Sequence, residues 1–380
     1  MRFFSHINRL LLATATLIGT IIGVGMFGLP YVASRAGVGV VVAYLVILGA
    51  VVILIHLLYG EVVLRTKGQH RLVGYAERYL GFPGKVLATL VFFFGLYGAL
   101  LAYMVLGGEF LSFLLGGNVS PFLAGLLLLA AAAYLVGRGL RTIGLTEVFT
   151  TAILLSLILG LMSYGSGFVK NANLNLIGGS QYFFLPYGVV LFALWGLSAV
   201  PEINGFLTQT PRRLKKAIVL GTLVPILVYI IFTITVVGIS GLATSPDAIS
   251  GLTPYLGRFF ASYGALVGFL AVATSVLTIG IITHDSLRLD FRLSRWPAWL
   301  TTFAVPLGFY FFITRDFIQI ISFVGALALS VEGLLVLAIH ARAKKKGELE
   351  PAYKVRISGL ASLGLAAIFV IALVYQIVSR

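Results

Sequence analysis

The chain has 380 residues, of which 59% are hydrophobic and only 10% are charged, and its formal net charge is +15 at pH 7. Soluble domains carry about 25% charged residues, so this composition indicates a bundle of membrane-spanning helices. The long continuous apolar runs exclude a β-barrel. The absence of cysteine excludes disulfides and thiol catalysis. The sequence has no metal-binding histidine motif and no phosphate-binding glycine loop, so we expect neither a cofactor nor enzymatic activity.

Eleven apolar runs have the length of membrane-spanning helices. They lie at residues 9–34, 38–64, 85–115, 121–137, 143–165, 184–210, 216–242, 260–286, 298–314, 317–341 and 356–378. The first run is too long for a signal peptide, so we treat it as a span. The polar stretches between runs are too short for a separate domain, although residues 69–84 favour a short amphipathic helix on the membrane surface.

Basic residues are concentrated in alternate loops, including residues 65–85, 212–216 and 342–356. By the positive-inside rule, this pattern predicts a multi-pass protein of the cell (plasma) membrane with a cytoplasmic N-terminus and an extracytoplasmic C-terminus. We expect the basic loops to contact anionic lipid headgroups. Their distribution does not favour nucleic-acid binding.

The first span carries Gly23, Gly25, Gly28 and Pro30 near the bilayer centre. Glycine weakens a helix, and proline removes a backbone donor and clashes with the preceding turn. Lipid offers no hydrogen-bond partners, so a break is tolerated only where the freed backbone faces a cavity. We therefore expect a broken helix here and a site for a polar solute.

The sixth span repeats this spacing, because Gly196 precedes Pro201 by five residues as Gly25 precedes Pro30. The two spans run in opposite directions, as expected for inverted repeats. The repeats would cover residues 1–165 (spans one to five) and 184–341 (spans six to ten), with residues 354–380 as an additional helix. From spacing alone, coincidence is an equally good interpretation.

Residues 19–30 (GTIIGVGMFGLP) closely resemble the first span of amino acid permeases of the amino acid-polyamine-organocation superfamily. The similarity is greatest to the aromatic amino acid permease and amino acid/auxin permease branches. Residues 195–202 (WGLSAVPE), and 273–277 (ATSVL) followed by His284-Asp285, are similar to their spans six and eight. The resemblance implies an all-α membrane fold of the leucine-transporter (LeuT) type. It has five plus five inverted helices, broken helices 1 and 6 and, here, an eleventh helix.

A zwitterionic amino acid needs donors for its carboxylate and acceptors for its ammonium group. The helix after the first break offers free N–H groups and the positive end of its dipole to the carboxylate. Freed carbonyl groups on both broken spans would accept the ammonium, and aromatic residues, including Tyr103 of span three, would line an apolar pocket. The predicted substrate-binding residues are Thr20, Ile21, Gly23, Val24, Gly25, Met26, Phe27, Tyr97, Ala193, Leu194, Trp195 and Gly196.

The coupling ion stays open between H⁺ and Na⁺. In sodium-coupled members of the fold, a hydroxyl pair such as Thr274 and Ser275 binds Na⁺ together with span-one carbonyls, here those of Ile18 and Ile21. Oxygen ligands suit this cation, but the hydroxyls could equally bond back to their own helix. The aromatic permease branch is usually regarded as proton-coupled.

Acidic residues inside spans are costly and therefore point to function. Glu109, Glu202 and Glu332 are the candidates, and we choose Glu202 as the proton carrier because it follows Pro201 at the second break. A structural cap is an equally good role for Glu202. His56 could shuttle protons, although a packed neutral histidine is the simpler expectation.

These features predict a secondary active transporter that imports a neutral, large apolar or aromatic amino acid with H⁺ or Na⁺. An alternative is a sensor that does not transport, or an exchanger, of the same fold. A membrane-embedded enzyme is disfavoured because the spans contain no catalytic pair.

Overall fold

A computed structural model describes residues 8–139 and 144–378, which form helices and turns without a β-strand. The helices are α1 (Arg9–Ile21), α2 (Gly25–Ala36), α3 (Val38–Arg65), α4 (Leu72–Leu114), α5 (Pro121–Gly137), α6 (Gly144–Gly165), α7 (Leu185–Leu194), α8 (Val200–Phe206), α9 (Arg213–Ser240), α10 (Thr253–Asp290), α11 (Arg295–Phe312), α12 (Phe317–Val324), α13 (Ser330–Lys346) and α14 (Gly359–Val378).

Each predicted span contains one helix or a broken helix. Within the described residues, eight helical segments are long and apolar enough to cross a membrane, or nine when α1 and α2 count as one span. Helix α5 is apolar but has only 17 residues. The exact number of eleven spans therefore stays a prediction. Helix α4 bends at Gly81, where φ is 75°, so residues 72–80 form a separate helical segment. Its position on the membrane surface stays a prediction.

The first span breaks at residues 22–24, where α1 and α2 meet at an angle of 52°. Pro30 lies inside α2, so the glycine-rich run makes the break and the proline does not. The sixth span breaks between α7 and α8, across a short 3₁₀ turn at Leu197–Ala199. Helix α2 packs against α7, and α1 packs against α8 and α9. The two breaks consequently lie side by side.

The tenth span also departs from a regular helix, because a π-helical turn at Gly325–Leu329 separates α12 from α13. Such turns are rare in proteins, and those that occur often lie at functional sites. This turn packs against α7 and α12. It directly precedes Glu332, which is buried in the first turn of α13. The irregular part of span ten therefore faces the broken part of span six.

A buried cluster of charges joins α3 to α13 at the end of the bundle predicted to be cytoplasmic. The carboxylate of Glu61 accepts hydrogen bonds from Arg65 (2.8 Å), from Nε2 of His340 (3.1 Å) and from the backbone N–H of Val355 (2.6 Å). The Tyr353 hydroxyl donates to the carbonyl of Leu57 (2.8 Å). The segment after α13 is therefore fastened across the end of α3.

The same segment is tied to the start of α4. Glu348 accepts hydrogen bonds from the backbone N–H of Lys67 (3.0 Å) and from the guanidinium of Arg78. These two groups hold the pKa of the Glu348 carboxyl below its usual range. The loop between α3 and α4 is consequently held in place by the chain that follows span ten.

We predict that Glu61→Gln lowers the thermal unfolding temperature of the purified protein by several degrees. The substitution leaves the buried guanidinium of Arg65 without its charge partner, a change that costs about 3–5 kcal/mol in buried ion pairs. Glu350→Gln is the matched control, because its ion pair with Lys354 is exposed and should contribute nothing measurable. Equal unfolding temperatures for both variants would show that the cluster does not stabilise the fold.

Candidate functional site

The two breaks enclose a cavity of about 70 Å³ in the middle of the bundle. Six of the residues that we predicted for the substrate site line it: Thr20, Ile21, Gly23, Val24, Gly25 and Trp195. The other lining residues are Phe92, Gly95, Leu96, Ala99, Tyr103, Phe192, Ser198, Ile279, Leu329 and Glu332. The structure thus brings the backbone of span one, the second break and one carboxyl group to a single place.

The first break presents backbone donors to this cavity. The first N–H groups of a helix have no acceptor within that helix. In α2, those of Met26 and Phe27 make short-range bonds to the carbonyls of Gly23 (3.4 Å) and Val24 (3.1 Å). The N–H groups of Val24 and Gly25 lie at the very start of α2, so no carbonyl of this helix precedes them and can accept them. This end of the cavity therefore suits an anionic group.

Gly25 is also required for the contact between the broken spans. A Cβ atom at this position would lie 2.6 Å from the Cα atom of Ala193 in α7. Only glycine lets the start of α2 approach the backbone of α7 so closely. At Gly23 the neighbours are side-chain oxygens, because a Cβ there would lie 3.1 Å from Ser275 Oγ and 3.5 Å from Tyr103 Oη. Gly25 therefore packs against the backbone of α7, whereas Gly23 packs against the side chains of Ser275 and Tyr103.

Tyr229 of α9 joins the two breaks, a role that the sequence analysis missed. Its hydroxyl donates toward the carbonyl of Ile21 at the end of α1 (2.7 Å) and that of Ala193 in α7 (3.1 Å). The side chain is fully buried, where an unpaired carbonyl would be costly. The only signal in the sequence is that Tyr229 is the single tyrosine of span seven, and this does not distinguish it from ordinary packing.

Trp195 and Gly196, at the second break, are held from two sides. The indole Nε1 of Trp195 donates to Glu332 Oε2 (2.8 Å), and the backbone N–H of Gly196 donates to Nε2 of His56 (3.3 Å). His56 is fully buried, and its Nδ1 lies 3.3 Å from the Thr222 hydroxyl. A backbone N–H can only donate, so Nε2 carries no proton and His56 is neutral in this arrangement.

The predicted sodium ligands do not form an open shell of oxygens. Thr274 and Ser275 both donate to the carbonyl of Ala271 in their own helix, at 3.0 and 2.8 Å. The carbonyl of Ile18 accepts the N–H of Ile22 (2.7 Å), and that of Ile21 accepts from Tyr229. These oxygens do not fit a prepared cation site. The coupling ion, H⁺ or Na⁺, stays a prediction.

The remaining predicted residues do not line the cavity. Phe27 is buried against Phe110 and Phe232, with ring centroids 5.0 and 5.8 Å away. Tyr97 lies beside Phe93 in α4, and Glu202 lies in the first turn of α8. Met26, Ala193 and Leu194 are core residues beside the breaks.

The cavity is too small for an aromatic ring in this conformation. A cavity of about 150 Å³ accommodates benzene in a protein core, whereas this one measures about 70 Å³. The aromatic side chains that line it are Phe92, Tyr103, Phe192 and Trp195. Entry of a ring-bearing solute therefore requires lining side chains, or the half-helices at the breaks, to move apart.

We predict that Tyr229→Phe lowers solute uptake into proteoliposomes about tenfold, the rate equivalent of one lost hydrogen bond of about 1.4 kcal/mol. The carbonyls of Ile21 and Ala193 lose their shared donor, so the breaks are less well positioned. The control is Tyr263→Phe, which removes a bond to the carbonyl of Leu157 (3.2 Å) away from the cavity. If both variants take up solute at the same rate, Tyr229 does not position the breaks.

Comparisons with known proteins agree with this geometry. The model of the tryptophan/tyrosine permease family matches residues 6–379. The tyrosine-specific transport system 1 of Haemophilus influenzae is 25% identical, over 84% of each chain. The tryptophan-specific transport protein of Pseudomonas aeruginosa is 28% identical, over 88% of this chain and 86% of that protein.

Among solved structures, that of MhsT in complex with L-phenylalanine superposes with a TM-score of 0.70 at 16% identity. The superposition covers 97% of both chains and shows the LeuT-type fold. The family match covers nearly the whole chain, including both broken spans, and the family consists of permeases rather than enzymes. The chain belongs to the tryptophan/tyrosine permease family.

Proposed function

We propose that this permease imports tyrosine or tryptophan across the cell membrane by symport, with its substrate held between the two breaks. The observation that carries the proposal is the cavity lined by the backbone of span one and by Trp195. The family and the names of the relatives support an aromatic amino acid as the substrate. The same proposal includes an orientation with a cytoplasmic N-terminus and an extracytoplasmic C-terminus. It also includes contacts between the basic loops and anionic headgroups.

The charges of the half-helices orient the amino acid in this site. The substrate carboxylate binds the free N–H groups at the start of α2, near Val24 and Gly25. Its ammonium group faces the carbonyl ends of α1 and α7, where the helix dipoles are negative, near Thr20 and Trp195. Backbone groups bind every amino acid alike, so they supply affinity without choosing the side chain.

The apolar lining selects the side chain. Phe92, Leu96, Ile279 and Leu329 line the cavity, and none of them carries a charge. An aromatic ring gains both buried area and edge contacts with the phenyl groups of such a pocket. An acidic side chain would lose its hydration and find no basic group among the described lining residues. The pocket therefore favours neutral aromatic amino acids once the half-helices have moved apart.

We expect proteoliposomes containing the purified chain to accumulate labelled tyrosine or tryptophan under an imposed inward H⁺ or Na⁺ gradient. Unlabelled aromatic amino acids should compete, whereas alanine and lysine should not, because they lack the ring or carry a charge. The gradient that drives accumulation names the coupling ion. If neither gradient drives accumulation but exchange is seen, the protein is an exchanger; without either, aromatic amino acid transport is rejected.

We also predict that Gly25→Ala abolishes this uptake while the protein still inserts in the membrane. The added Cβ would overlap the backbone of Ala193, so the half-helices could not return to the closed contact that the transport cycle passes through. Gly364→Ala in α14 is the matched control, because no atom lies within 4 Å of its Cβ position. Normal transport by Gly25→Ala would mean that the substrate does not use this contact between the breaks.

A further inference from the structure

Glu332 is the single acidic residue among the described residues that line the cavity, and none of the lining residues is basic. Its side chain is buried, with 4% of the residue exposed. Its hydrogen-bond donor is the indole of Trp195, a neutral group. An ionised carboxyl inside a membrane protein is costly unless a cation balances it. No basic side chain among the described lining residues balances such a charge, and a bound proton would remove its cost.

The groups around Glu332 indicate that a proton is the cation that balances its charge. From α3, the phenol of Tyr59 lies within electrostatic range, and the ring of His56 lies 6.0 Å from that of Trp195. From α4, Tyr103 lines the same cavity. His56 is neutral and accepts a hydrogen bond from the N–H of Gly196. The lining therefore offers hydroxyl groups, and the imidazole beside Trp195 is neutral. The guanidinium of Arg71 donates to the carbonyl of Ser198, another lining residue (3.1 Å). Hydroxyl groups and a neutral imidazole suit the passage of a proton.

Glu332 is also linked mechanically to the part of the protein that has to move. Trp195 ends the first half of span six, and the irregular turn at Gly325–Leu329 positions Glu332 opposite it. A hydrogen bond to an ionised carboxylate is roughly twice as strong as one to a neutral acceptor. The charge on Glu332 consequently determines how firmly the broken end of α7 is held.

We propose that Glu332 is the proton-binding residue of the transport cycle, and that its hydrogen bond to Trp195 links proton binding to movement of the second break. This inference rests on the proposed transport of an aromatic amino acid. Protonation weakens the hold on Trp195, and α7 can then move away from α2 and admit the substrate. Proton release restores the charge-assisted bond. Glu332 thereby takes the role that sequence analysis predicted for Glu202, which lies outside the cavity.

The test uses the full chain in proteoliposomes with labelled tyrosine or tryptophan, whichever the wild type transports. Glu332→Gln keeps the shape and can accept the indole N–H, but it cannot release a proton. We expect it to retain exchange of substrate across the membrane and to lose accumulation driven by an inward proton gradient. The wild type should bind substrate about 5- to 150-fold more tightly at low pH, the usual range of coupling between two sites, and Glu332→Gln should remove this dependence.

A control variant and the outcomes that would contradict the proposal complete the test. Glu350→Gln, an exposed residue outside the spans, should behave as the wild type. Proton-driven accumulation by Glu332→Gln with an unchanged pH profile would overturn the proposal, as would loss of this accumulation in Glu202→Gln alone. Loss of exchange in a folded Glu332→Gln protein would also overturn it, because Glu332 would then bind the substrate itself.

Trp195→Phe provides a second variant in case Glu332→Gln does not fold. It keeps the carboxyl group but removes its donor, so the pH profile of substrate binding should shift and proton-driven accumulation should fall. An unshifted profile would contradict the proposed link. Wild-type exchange separates the two proposals: if the wild type exchanges no aromatic amino acid, the proposed function fails; if exchange is normal but only sodium drives accumulation, only the role of Glu332 fails.

Discussion

The structure depends on one constraint: a carbonyl or N–H group freed inside the bilayer has to find its partner within the protein. Two spans break in their middle, and the partners come from neighbouring helices. Tyr229 donates to carbonyls of both broken spans, and His56 accepts the N–H of Gly196. The groups left over at the start of α2 face the cavity. The proposed substrate site is therefore the part of the backbone that the fold itself does not satisfy.

Much of this arrangement could be predicted from sequence, because its causes are local. Glycine at positions 23 and 25 disfavours a helix whatever surrounds it, and the break is found at residues 22–24. The helix expected after the break begins at Gly25. Proline was a weaker guide: Pro30 lies inside α2, and Pro201 lies in the first turn of α8, where a missing N–H costs nothing.

The side chains around the breaks could not be assigned in this way. Tyr229 reaches Ile21 across 208 positions of sequence, and Glu332 reaches Trp195 across 137. Distance along the chain favoured Glu202, which follows the second break directly, over Glu332. The π-helical turn in span ten determines which acidic residue faces the cavity. No residue pattern predicts that turn. Packing between helices, rather than local preference, decides such roles.

The contact between Gly25 and Ala193 connects substrate size to conformational change. It holds α2 against α7 while the cavity measures about 70 Å³, so an aromatic side chain and this closed contact exclude each other. Separation of the half-helices also pulls on Trp195 at the end of α7, and hence on its bond to Glu332. A substrate that opens the cavity and a proton that weakens this bond favour the same conformation. Two ligands that stabilise one state bind cooperatively, and this coupling is consistent with the proposed symport.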